Sequence, residues 1–87
     1  MNETLEELRQ LLRSRGDVRP SDIVPRLTVL GFLVRRGSKA GHWVVAHRGL
    51  RGFRNASFCC EHGRNGVLTN YSKKDLLAVL NRYEAQL

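Results

Sequence analysis

Phe32-Leu33-Val34-Arg35-Arg36-Gly37-Ser38-Lys39-Ala40-Gly41-His42-Trp43-Val44-Val45-Ala46-His47 is the stretch where the apolar spacing changes from helical to alternating. Two short runs of period two flank a glycine-bounded turn, and that pattern reads as a β-hairpin. The glycines free the backbone where the turn must close, while Ser38 and Lys39 offer a hydroxyl and a cation suited to a phosphate oxygen. His42 stands where the loop becomes a strand, held by its neighbours yet reachable by a ligand, and it is the candidate catalytic residue. Trp43 and Val45 share one face of the second strand; His42, Val44 and Ala46 share the other. Sequence does not decide which face is covered.

Beyond the hairpin, residues 48–55 form a second basic, glycine-bearing loop, residues 56–61 a third strand and residues 62–66 another turn, with residues 67–69 extended. Ser72 and Asp75 give a capping signature for a last helix carrying Leu76, Leu80, Tyr83 and Leu87 on one face. Before the hairpin, Ser21 can cap a helix with Ile23, Leu27 and Leu30 on one side and Gly31 as its stop. Pro25 is tolerable only near a first turn, so that helix starts at Ser21 or just before and is short. Thr4 with Glu7 reads as a capping box for an earlier helix, residues 4–15, with Leu5, Leu8 and Leu12 as its stripe and Gly16 as its end. The stripe must cover either the core or a partner chain. The order is one helix, then α-β-β-β-α: an α+β protein with a three-stranded antiparallel sheet, helices on one face and the other face available for a ligand.

The chain has 87 residues and a formal net charge of +7. That length predicts one core. Residues 19–54 hold seven Arg and one Lys against Asp22 alone, whereas the segments on either side nearly balance. So localised a basic field points to nucleic-acid phosphates rather than to a scattered solubility charge. Cys59 and Cys60 are adjacent and point to opposite faces of a strand, so with His62 they lack the paired spacing of a tetrahedral site, and no metal is expected. Reduced thiols, an acidic N-terminus without a basic-then-apolar leader, and no apolar run near the roughly 18 residues of a membrane span predict a soluble, cytoplasmic protein without a membrane partner.

Val18-Arg19-Pro20-Ser21-Asp22-Ile23, Leu30-Gly31-Phe32 leading to Arg35-Arg36-Gly37-Ser38, His42-Trp43-Val44-Val45, and Tyr71 before Lys74-Asp75-Leu76-Leu77 resemble, in order and spacing, the HicA family of toxins. These are small mRNA-cleaving proteins of bacterial toxin–antitoxin pairs with a fold like the double-stranded-RNA-binding domain (dsRBD-like). The resemblance covers residues 18–87 and leaves residues 1–17 as an N-terminal helical extension. It implies an endoribonuclease acting on mRNA, a HicB-like antitoxin as protein partner, and His42 as the catalytic residue. The family's motif is Gly-Ser-His before a short apolar strand; here Lys39-Ala40-Gly41 separates Gly37-Ser38 from His42.

RNA carries its own nucleophile, the 2′-hydroxyl, so cleavage needs a base to take its proton and cations to meet the charge on the phosphorus. A histidine, with an ordinary pKa of about 6.5, suits the first task near neutral pH. His42 is assigned as general base, with Lys39, Arg36 or Arg35 placing the scissile phosphate, Ser38 beside them, and no metal or other cofactor required. His47 is a second, weaker candidate, five residues on and facing the other way. His62 reads as a turn residue or an RNA contact. Trp43 and Phe53 offer rings for base stacking or for the core, and Arg48, Arg51 and Arg54 offer backbone contacts. A non-catalytic RNA-binding module, and an adaptor for an acidic protein, are the competing expectations.

Overall fold

The computed structural model describes residues 2–61 and 66–87. Its elements follow the expected order: α1 (Glu3–Arg13), α2 (Pro20–Val29), β1 (Leu33–Arg36), β2 (His42–Ala46), β3 (Asn55–Cys59), α3 (Asn70–Arg82) and a closing 3-10 turn (Glu84–Gln86). The strands form one antiparallel sheet in the order β1-β2-β3. Register pairs Arg36 with Trp43 and Arg35 with Val44 on one side of β2, and His42 with Cys59 and Trp43 with Phe58 on the other.

The helices cover the Trp43–Val45 face. Val45 and Phe58 point inward and are fully buried, joined by Phe32, Ile23, Leu27, Leu76 and Leu80. α2 packs on β1, α3 packs on β3, and α1 lies against both helices. Leu5, Leu8 and Leu12 therefore enter the same core as the rest of the chain, and the N-terminal stripe is covered within the molecule. No helix among the described residues is long and apolar enough to cross a membrane.

Helix boundaries depart from the sequence expectation by a residue or two, for local reasons. α1 is capped by Asn2, whose Oδ1 accepts from Leu5 N at 3.1 Å, and not by Thr4. It ends at Arg13, well before Gly16. α2 starts at Pro20, where a ring without an N–H fits the first turn, and Asp22 reaches back to the Arg19 N–H at 2.9 Å. Pro25 thus falls in the second turn of the helix, on its exposed side. α3 is capped by Thr69, which accepts from Ser72 N at 3.1 Å. Ser72 is instead buried, with its Oγ accepting the Cys59 N–H at 2.8 Å and tying α3 to the end of β3. The third strand stops at Cys59, and beyond it, among the described residues, the isolated bridge Cys60–Leu68 continues the pairing.

Gly31 closes α2 as expected. Its φ of +95° allows Phe32 N to reach the Leu27 carbonyl and Gly31 N the Thr28 carbonyl, the two bonds of a Schellman motif. The chain leaves the helix already aimed into β1, with Phe32 inserted in the core.

Candidate active site

The hairpin loop is built by two backbone closures. His42 N donates to the Lys39 carbonyl at 3.1 Å, and Gly37 N donates to the His42 carbonyl at 2.8 Å. Gly41, third in that turn, has φ +79°, and a Cβ there would sit 2.9 Å from the Cys60 carbonyl. Only glycine fits both demands, so the turn delivers His42 to the first position of β2 with little freedom.

His42 lies on the uncovered face of the sheet and is exposed. Since Cys60 N donates to the Gly41 carbonyl, His42 and Cys59 form a non-hydrogen-bonded pair, the kind whose side chains approach most closely. The Cys59 Sγ is 3.6 Å from His42 Nδ1 and 3.8 Å from Nε2. Among the described residues this thiol is the ring's one hydrogen-bonding partner. Arg35 is on the same face, paired with Val44, a diagonal neighbour at roughly 7–8 Å and within reach of a long side chain.

Arg36 faces the opposite way. Its guanidinium lies 5.3 Å from the centre of the Trp43 ring, and Trp43 in turn stacks on Phe58 at 5.8 Å with the planes nearly parallel. A cavity of about 260 Å³ at the hairpin end is lined by Arg36, Ser38, Lys39, His42 and Trp43 together with Cys60 and backbone around them. Five residues expected to act on RNA thus meet at one place. Arg48, Arg51 and Arg54 do not join them. They are exposed on the loop beyond Ala46, at the other end of β2, roughly 15 Å away by strand rise. That loop is anchored by buried Leu50, and Phe53 packs edge-on against Phe32 and Tyr83, so its ring is spent on the core.

His47 is a structural residue. Gly49 N donates to its Nδ1 at 2.9 Å, which leaves the proton on Nε2, and Nε2 donates to the Leu30 carbonyl at 3.0 Å. The ring also meets Phe32 edge-on at 4.8 Å. His62 lies outside the described residues.

Electrostatics reinforce the concentration of charge. The ion pairs among the described residues are Arg9 with Glu6 and Glu84, and Arg26 with Glu7. All lie among the helices and the C-terminal turn, and among the described residues the cations of both basic loops are in no ion pair. Cys60 is half-buried, and desolvation, with Cys59 beside it, pushes its thiol above the ordinary range. No group of three or more metal-ligating side chains occurs among the described residues. Adjacency of Cys59 to His42 is the feature the sequence reading lacks. It is readable only once the register of β2 on β3 is known.

Comparison with known protein families, characterised proteins and solved structures finds no match to this chain.

Proposed function

We propose that the protein is a metal-independent endoribonuclease of the toxin type, cutting mRNA in the cytoplasm and neutralised by a HicB-like antitoxin protein. The observation that carries this reading is an exposed imidazole, free of the backbone bonds that engage His47, at the rim of a cation-lined cavity. His42 takes the proton of a 2′-hydroxyl; the freed oxygen attacks the adjacent phosphorus, and the bond to the 5′-oxygen breaks. Lys39 and one of Arg35 or Arg36 meet the charge on the phosphoryl oxygens. Water returns a proton to the departing oxygen. The products are a 2′,3′-cyclic phosphate and a 5′-hydroxyl.

A non-catalytic RNA-binding module draws on a different observation: among the described residues His42 has a thiol beside it and no orienting carboxylate. One RNA separates the two readings. A labelled single-stranded oligonucleotide is cut by the protein in EDTA, and its cleavage site is mapped. Replacing the single 2′-hydroxyl at that site with hydrogen abolishes the cut if the substrate supplies the nucleophile. Cutting that persists there sinks the mechanism, and binding without cutting of either RNA favours the module.

A further inference from the structure

Next to the loop cavity lies a larger groove of about 540 Å³, walled by Pro20, Val24 and Pro25 of α2 on one side and by Arg36 and Trp43 on the other. The two spaces share Pro20, Arg36 and Trp43, so they form one continuous depression. We infer that this groove is a nucleotide subsite, taking one base of single-stranded RNA beside Trp43 with the attached phosphate toward Lys39. The inference rests on the reading of the protein as RNA-directed and deepens it by assigning a place to a base.

Its chemistry selects the ligand. The α2 wall presents Pro20, Val24 and Pro25, which suit a flat ring, with the Ser21 hydroxyl beside them, and Trp43 is half-buried in the opposite wall, stacked on Phe58. Arg36 lies over the indole, and Arg19 lines the same groove. Neither arginine is in an ion pair among the described residues. A ligand matching all of this is planar, aromatic and anionic. A bare phosphate makes no use of Trp43 or the prolines, and a purely apolar ligand makes no use of the arginines. A base stacked on the Arg36 guanidinium, itself carried on the indole, is held in a sequence-tolerant way, because every base presents a π-face. The groove opens toward the hairpin loop, so a strand with its base here runs its backbone past Ser38 and Lys39 toward His42.

Trp43 is the only tryptophan in the chain, so its fluorescence reports the groove directly. The full chain is titrated with adenosine and guanosine 5′-monophosphate and, in parallel, with ribose 5-phosphate and a polyglutamate peptide. Saturable quenching by the nucleotides is expected, with ribose 5-phosphate at least about fivefold weaker. Arg36→Gln removes the cation over the indole, and Ser21→Glu sets a carboxylate in the groove; each weakens nucleotide binding at least about fivefold. Both positions are exposed, and glutamate suits a first helical turn, so unchanged circular dichroism and melting are expected. Arg13→Gln, on α1, leaves the titration unchanged.

Quenching no stronger by nucleotides than by ribose 5-phosphate, or by the peptide alone, overturns the inference. So does undiminished binding in both groove variants. Nucleotide quenching without RNA cleavage keeps the subsite and removes the ribonuclease reading. Cleavage without nucleotide quenching does the reverse.

Discussion

His47 donates from Nε2 to the Leu30 carbonyl and accepts from Gly49 N through Nδ1, while the ring of His42, five residues earlier, has the Cys59 thiol as its one hydrogen-bonding partner among the described residues. The same side chain is structural in one place and available in the other. His47→Ala strands the Leu30 carbonyl and the Gly49 amide and opens a gap beside Phe32, which predicts a loss of about 1–3 kcal/mol in denaturant titration. Cleavage per folded molecule is expected to stay within about twofold of wild type. A well-folded His47→Ala protein that no longer cuts RNA would return His47 to the chemistry. Cys59 makes a separate claim. A thiol reagent on Sγ fills the space in front of His42, so alkylation abolishes cleavage, Cys59→Ser keeps cleavage and loses that sensitivity, and Cys60→Ser stays sensitive. Sensitivity that survives in Cys59→Ser contradicts the pairing.

α1 and α3 are joined by an unusual link. Lys73 is buried on α3, and its Nζ donates to the Ser14 carbonyl at 3.1 Å and the Gly16 carbonyl at 2.7 Å, just past the C-terminus of α1. A cation there satisfies two acceptors and meets the negative end of the helix. Lys73→Met keeps the stem and removes the donors, so a destabilisation of about 1.5–3 kcal/mol is expected by thermal or denaturant melting. A second clamp is acid-sensitive. Buried Arg9 bonds Glu84 at 2.9 Å, and this hydrogen bond holds the Glu84 carboxyl below its ordinary 4.5. A lowered folded pKa means the contribution is fully present above about pH 4.5 and is lost as pH falls through the folded value. Glu84→Gln therefore narrows the stability gap to wild type as pH drops below about 4; a gap constant from pH 7 to pH 3 contradicts the clamp. The stripes Leu5-Leu8-Leu12 and Leu76-Leu80-Tyr83 were legible because burial imposes a period on the sequence. Caps were less legible, since several polar residues compete near each start and the incoming chain decides among them. Asn2 displaces Thr4 and Thr69 displaces Ser72, which is left free to hold Cys59. Lys73 carried no periodic signal at all, because its partners are carbonyls 57 and 59 residues away.

Taken whole, the molecule separates its charges. Among the described residues, the ion-paired carboxylates sit among the helices and the C-terminal turn, and the cations of the two loops at the ends of the sheet are in no ion pair. Charge by segment revealed the excess, but only the topology divides it into a hairpin end containing His42 and a far end containing Arg48, Arg51 and Arg54. Alternation along β2 is likewise silent on which face is covered; the packing of the helices puts Val45 and Phe58 inside and leaves His42 outside. On the proposed reading, RNA lying along this surface meets phosphate contacts at two stations, with chemistry at one. The most direct measurement is cleavage of labelled single-stranded RNA in EDTA by wild type, His42→Ala and the triple variant Arg48→Gln, Arg51→Gln, Arg54→Gln, all matched for folding by circular dichroism. The account predicts cutting by wild type, none by His42→Ala, and cutting by the triple variant with a flatter salt dependence of binding. Equal cutting by wild type and His42→Ala, or RNA binding without cutting by any of the three, would contradict it.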